Sequence, residues 1–486
     1  LPDAPVSSTG LVGGVSGIGW LLVVALAARH GVTMRTIEDH ARALADEHTT
    51  SRALVETCLE RIADPGGEGA RTFVAVHGPA ARAMADAMDT LRGAGRAPGR
   101  LAGIPVAIKD LCDIEGETTR AGSRALDGAP AATETAPAVR RLMAAGMIPI
   151  GRTNMSEFAF SGLGINPHFG TPRAPWDRAA GRIPGGSSSG TAVAVADGMA
   201  VGGLGTDTGG SCRIPAAFCG IVGYKPTARR VPLGGILPLA PSLDSVGPLA
   251  PSVACCAAMD AIFAGAPPAP PAPPLAAPPV AGLRFAVPDG MLLEGMDADV
   301  AAAFARALSV LSAAGARIRH VSFAAFAAIA EAGRTGGFAA VEAYAWHRAL
   351  LERRGATYDP HIRRRIERGA RQSAADYLDL LAARARIIAA FDAATQDFDA
   401  VLLPTVPIVP PRIAALDDEA DYNRLNLLIL RNTAPGNFLD RCAISLPCHG
   451  AGEPPVGLML MGETMGDERL FGVAAAVETA LAEAAG

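Results

Sequence analysis

Apolar positions near the start of the regular part of the chain recur at helical spacing. In TIEDHARALADEHTTSRALVETCLERIA, from Thr36, the sets Ile37, Ala41, Leu44 and then Leu54, Val55, Cys58, Leu59, Ile62 each fall on one side of a helix. AGIPVAIKD, from Ala102, is instead a short continuous apolar run that ends in charge, the pattern of a buried strand. APAVRRLMAAGMIPIGRTNMSEF predicts a helix ending near Gly146 followed by a strand over MIPIGR. TAVAVADGMA reads as a small-residue helix ending near Gly198, and AVGGLGTD as an apolar run that stops at a turn. Alternation of this kind predicts an α/β fold built on a substantial sheet.

One compositional break interrupts the pattern. APPAPPAPPLAAPPV, residues 266–280, is too proline-dense to pack as helix or sheet and favours extended polyproline structure. A two-domain chain would be cut here. However, GLRFAVP directly after it and DAVLLPTVP from Asp399 both read as strands, with mostly Ala- and Arg-rich helices between them. The chain is therefore expected to leave the sheet, build a helical subregion at about 290–398, and return. No internal repeat is apparent.

Length and composition set the outer bounds. The 486 residues, 50% hydrophobic and 19% charged, can bury a large core, and length alone allows two or three domains. A net charge of −5 and a pI near 6.0 provide no broad basic footprint, so nucleic acid is not an expected direct partner. The one locally basic run, HIRRRIERGARQ from His361, is read as a solvated helix face. The eight cysteines form no CxxC pair and do not combine with the nine histidines at zinc-site spacing, which points to reduced, mostly buried thiols in a cytoplasmic protein.

Residues 11–28, LVGGVSGIGWLLVVALAA, are apolar enough to suggest an anchor or signal segment, but no Lys or Arg precedes them and glycines crowd the first half. GGVSGIG within it has the look of a nicotinamide-binding turn, with Glu38 and Asp39 at the distance of a ribose partner; no strand leads into it, and no Tyr-x-x-x-Lys pair accompanies it. Residues 1–33 are thus expected to be an extension preceding a start near Met34, with no membrane role.

The candidate chemistry lies in two serine-bearing stretches. IPGGSSSG, residues 183–190, would pass for a linker, except that Ser211 follows 24 positions after Ser187 in a second glycine-flanked setting, GTDTGGSCRIPAAFCG. Paired glycines beside a serine let backbone N–H groups converge as an oxyanion site requires. A phosphate loop is excluded because the Gly-Lys-Ser/Thr ending is missing. No histidine stands in a recognisable relation to Ser211, and the Gly186–Gly190 match to a nucleophile elbow, centred on Ser188, follows IPGG, a poor strand. Lysine is the other available base. Among 43 Lys plus Arg residues only Lys109 and Lys225 are lysines, so arginine serves wherever a positive charge is enough. Arginine does not release its proton in a protein, whereas a desolvated lysine can. Lys109, at the end of an apolar strand, is the candidate base; Lys225, in GYKPT, is assigned to turn or packing.

IPVAIKD, PGGSSSG and GTDTGGSCRIPAAFCGIVGYKPT together resemble the amidase signature family, and the similarity runs from about Thr36 to the final helix. LDSVGPLAPSV from Leu243 and NTAPGNFLDRCAISLP from Asn432 also resemble stretches of that family. The resemblance implies a single large α/β domain over 34–486, with a mixed sheet wrapped by helices and residues 266–280 as a surface crossing. It also implies amide hydrolysis or transfer through a Ser, cis-Ser, Lys triad without metal or organic cofactor. Carried onto this chain, Ser211 is the nucleophile, Ser187 the bridging serine after a cis peptide bond, and Lys109 the base.

On the same basis the N–H groups of Thr208, Gly209, Gly210 and Ser211 form the oxyanion hole. Gly185 and Gly186 relieve crowding beside Ser187, Ser188 adds supporting hydrogen bonds, Ser189 is structural and Asp207 orients its loop. Candidate substrate contacts are Met155, Gly162 and Arg213, the last with a structural ion pair as the alternative. Family pockets are lined by loops, here 155–164, 166–170 and 405–410, whose neutral or apolar character points to small, uncharged aryl or short acyl amides, or carbamates. The expected partner is that small molecule, for a monomer or homodimer. The alternatives are an amidotransferase A-type subunit that releases ammonia from glutamine for tRNA-dependent amidation, and a noncatalytic scaffold, against which the complete triad speaks.

Overall fold

The computed structural model describes residues 34–266 and 275–485; the readings made on residues 11–28 lie outside them, as does part of the proline-rich segment. Its strands are β1 (Phe73–Val76), β2 (Pro105–Lys109), β3 (Ile148–Thr153), β4 (Gly202–Thr206), β5 (Val222–Lys225), β6 (Val246–Ala250), β7 (Arg284–Pro288), β8 (Arg317–Val321), β9 (Ala400–Pro404), β10 (Ala443–Pro447) and β11 (Gly457–Met461). They join in one sheet in the order β1, β3, β2, β4, β6, β5, β10, β11, β9, β7, β8. The β2–β3, β2–β4, β9–β7 and β7–β8 pairs are parallel and the others antiparallel. The strands on either side of the proline-rich segment therefore belong to the same sheet.

Both faces of this sheet are covered, and side-chain alternation shows it. Leu458 and Leu460 of β11, Leu402 of β9 and Phe285 and Val287 of β7 enter the largest apolar cluster, with the helices 253–264, 298–313 and 467–483. Met459, Met461, Val401, Leu403 and Ala286 enter a separate cluster on the opposite face, against Phe326 and Phe391. A strand buried on both faces loses its polar alternation, which is why these segments read as continuous apolar runs.

The two helical runs near the start are the helices Ile37–Ala45 and Ser51–Ala63. In the first, Asp39 accepts from the backbone N–H and the hydroxyl of Thr36 and so closes a capping box, which gives this carboxylate a structural place rather than that of a ribose ligand. The small-residue helix is Ser189–Ala196, and all of it is buried. It lies flat on β4 because that strand is nearly bare: a Cβ on Gly203 would stand 2.3 Å from Thr191 Cγ2. Among the described residues no helix is long and apolar enough to cross a membrane.

Candidate active site

Lys109 closes β2, and the turn that starts at Asp207 follows β4, its parallel neighbour, so both arise at the carboxyl ends of adjacent strands. The serine loop leads into the helix Ser189–Ala196. Its peptide bond Gly186–Ser187 is cis. Close approach explains the glycine there: a Cβ on Gly186 would lie 2.6 Å from the Gly164 nitrogen and 2.7 Å from Ser156 Oγ. Gly185 adopts φ +73°, and Gly186 N–H donates to the Gly162 carbonyl at 2.8 Å.

The structure brings Lys109 and Ser187 into direct contact. Lys109 Nζ donates to Ser187 Oγ at 2.8 Å and to Thr206 Oγ1 at 2.7 Å, and all three side chains are buried. Burial pushes the Lys109 pKa from its ordinary 10.5 down to about 8. Among the described residues no hydrogen bond links the Ser187 and Ser211 hydroxyls; their loops are tied by Ser188 N–H donating to the Ser211 carbonyl at 3.3 Å. The Ser188 hydroxyl bridges the Thr206 carbonyl at 3.3 Å and the Thr206 N–H at 3.4 Å.

The turn after β4 is organised by Asp207. Its carboxylate accepts from Gly210 N–H at 2.8 Å, Cys212 N–H at 3.0 Å, both Nε and Nη2 of Arg213, and Asn437 Nδ2. Burial alone would raise its pKa, but the Arg213 guanidinium, with Lys225 beyond it, outweighs burial and holds it well below the usual carboxylate range. The expectation of four oxyanion donors is corrected here, because the Gly210 N–H is committed to Asp207. The N–H groups of Thr208, Gly209 and Ser211 meet no acceptor among the described residues. Gly210 has φ +136°, and a Cβ there would lie 2.2 Å from Thr433 Oγ1, so the turn accepts no larger residue.

Two of the candidate substrate contacts are also corrected. Arg213 is fully buried, paired with Asp207 and bonded to the Thr433 carbonyl and Asn437 Oδ1; no edge of it is left for a ligand. Met155 is fully buried beneath Asn166, whose Nδ2 donates to its carbonyl, and it does not reach the cavity beside Ser211. Gly162 does line that cavity, although its N–H is held by Asn426 Oδ1 at 3.0 Å. Of the three loops expected as walls, only 159–162 contributes. Thr405 is tied to Ser445 Oγ, and Val406 and Ile408 sit in an apolar cluster.

The cavity measures about 490 Å³. Thr208, Gly209 and Ser211 form its floor, and Leu239, Leu292, Phe326, Phe338, Leu380 and Phe438 are among its apolar walls. Sequence reasoning missed Thr206, Asn437 and Thr433, whose hydroxyl donates to the Gly209 carbonyl at 2.6 Å. The stretch from Asn432 carried the only signal for two of them, without roles. Lys225 is buried at the end of β5 and donates to the Pro226 carbonyl at 2.7 Å. The eight cysteines are free thiols, seven of them buried, and no cluster of three or more His, Cys, Asp or Glu among the described residues could hold a metal ion.

The chain is similar to known proteins over most of its length. The chain is 37% identical over 455 residues to 2-amino-5-chloromuconic acid deaminase of Comamonas testosteroni, covering 92% of this chain and 96% of the relative. It is 35% identical over 479 residues to the A-type subunit of the glutamyl-tRNA(Gln) amidotransferase of Synechococcus sp. (strain CC9605), covering 92% and 96%. A crystal structure of an amidase superposes with a TM-score of 0.82 at 34% identity, over 91% of this chain and 99% of the other. The Amidase family model matches residues 53–471, and with the shared sheet and these relatives it shows that the chain belongs to the amidase signature family, whose enzymes hydrolyse C–N bonds of amides.

Proposed function

We propose that the protein hydrolyses small amides with a largely apolar body through an acyl-enzyme on Ser211. The observation that carries this reading is the buried Lys109–Ser187 hydrogen bond of 2.8 Å, made by a lysine whose pKa is pushed down to about 8, beside a serine that lines a 490 Å³ cavity. A neutral Lys109 keeps one N–H on Thr206 and offers its lone pair to the Ser187 proton. Ser187 in turn takes the proton of Ser211 as Ser211 Oγ adds to the amide carbonyl. The N–H groups of Thr208, Gly209 and Ser211 stabilise the oxyanion. The C–N bond then breaks, the Lys109 proton returns through Ser187 to the leaving nitrogen, and water hydrolyses the ester by the same relay in reverse.

The second reading is an A-type amidotransferase component, favoured by the similarity to the Synechococcus protein. Free glutamine carries an α-ammonium that a closed site would have to pair, and among the described residues no Asp or Glu lines the cavity. The hydrolase reading is therefore preferred. Lys109→Ala, Ser187→Ala and Ser211→Ala should each lower kcat on an aryl amide at least a thousandfold with the circular dichroism spectrum unchanged. Activity within tenfold of wild type in any of the three would remove that residue from the mechanism.

A further inference from the structure

The first residues of LDSVGPLAPSV lie against the turn that follows β4, and two of them bond to it. β4 and β6 pair antiparallel up to Thr206 opposite Val246, and the ladder runs one step further: Asp207 N–H donates to the Ser245 carbonyl at 2.8 Å and Ser245 N–H to the Asp207 carbonyl at 3.1 Å. The Asp207 carbonyl also accepts from Ser245 Oγ at 2.9 Å and from Asn437 Nδ2 at 3.1 Å. Three donors therefore fix one carbonyl. The peptide unit that it belongs to is planar and trans, so the Thr208 N–H lies in the plane of that carbonyl and points the opposite way. The Thr208 side chain is fixed from the same segment: its hydroxyl donates to Asp244 Oδ1, and the carboxylate also accepts from the N–H groups of Leu239 and Ala240, each at 3.1 Å. Asp244 is buried and makes no ion pair among the described residues. A carboxylate taken out of water without a cation is held only where donors fill its oxygens, and here one of those donors is the side chain of an oxyanion residue.

On the reading that the Thr208 N–H is an oxyanion donor, we propose that Asp244 and Ser245 are positioning residues for it. Neither is among the residues that line the cavity. Ser245, with Asn437, sets the plane of the Asp207–Thr208 peptide. Asp244, by holding the hydroxyl, fixes the Thr208 side chain and with it the course of the chain into Gly209. An N–H fixed before the reaction stabilises the oxyanion without reorganising, and that gain appears in the transition state rather than in substrate binding. Loss of either hold should fall on kcat and spare KM.

The test uses an aryl amide substrate with two inhibitors of matching shape: a trifluoromethyl ketone, whose hemiketal with Ser211 places an oxyanion in the hole, and the corresponding alcohol, which forms no bond. Asp244→Asn disturbs the acceptor of the Thr208 hydroxyl, Thr208→Val removes that hydroxyl with little change of shape, and Ser245→Ala removes one of three donors. The first two should each lower kcat at least thirtyfold, and Ser245→Ala at least threefold, with KM within threefold of wild type. The ketone should weaken by a similar factor and the alcohol by less than threefold. Thr208→Ser, which keeps the hydroxyl, should recover at least tenfold of the loss in Thr208→Val, and this pair decides the matter if Asp244→Asn does not fold. The double variant Asp244→Asn/Thr208→Val should fall short of the product of the two single effects, since both cut one bond. A kcat within threefold of wild type in Thr208→Val, or equal weakening of ketone and alcohol, overturns the positioning role while leaving the hydrolase reading in place. No turnover by wild type, together with no acylation of Ser211, overturns the hydrolase reading and this inference with it.

Discussion

In the proposed mechanism Lys109 acts as a base only when it is neutral, and its surroundings favour that form. Burial disfavours the ammonium, and among the described residues the only side chains it meets by hydrogen bond are the hydroxyls of Ser187 and Thr206, which serve either protonation state. Since the active form is the unprotonated one, kcat/KM should rise with pH through about 8 and level above it, falling by about tenfold per unit on the acid side. A steady-state pH profile checks this, and a flat profile between pH 6 and 9 would contradict it. Lys109 was legible in the sequence because the chain keeps only two lysines. Thr206 was not, since its contact with Lys109 is made across two strands nearly a hundred residues apart in sequence.

At the scale of the element, the turn from Asp207 to Arg213 is a carboxylate with backbone wrapped round it. Asp207 collects two backbone N–H groups, a guanidinium and an amide, and by taking the Gly210 N–H it sets the course of the chain past Thr208, Gly209 and Ser211. Arg213 is fully buried, so Asp207→Asn leaves its charge uncompensated, and unfolding in urea should show a loss of about 3–5 kcal/mol. A change under 1 kcal/mol would contradict the account. Because the folded pKa of Asp207 is depressed, its contribution is present above the unfolded value near 4 and is lost as the pH falls through the folded one. The strands β2, β3, β4, β7 and β9 were legible as apolar runs because both their faces are covered. β8 was hidden within the expected helical subregion: RIRHV is an edge strand, exposed at Arg317, Arg319 and His320, with no apolar alternation to betray it.

At the scale of the molecule, one mixed sheet carries the catalytic candidates at the ends of neighbouring strands, and helices from the second half of the chain roof them. The motifs could be read because each is local: a lysine after an apolar run, serines between glycines. The cavity could not, because its walls come from residues 159–162, 239–243, 291–292, 326–339, 365–380 and 427–438, which meet only in the folded chain. Of the loops taken as walls from the family resemblance, 166–170 and 405–410 are absent from the lining, while Arg365, in the basic run read as a solvated face, lines the cavity. The central claim, a serine nucleophile at Ser211 served by Ser187 and Lys109, is tested most directly by intact-protein mass spectrometry and peptide mapping after treatment with a reactive fluorophosphonate. One adduct is expected, located on Ser211, absent in Ser211→Ala and formed much more slowly in Lys109→Ala. An adduct mapped to another residue, or labelling that persists in Ser211→Ala, would contradict it.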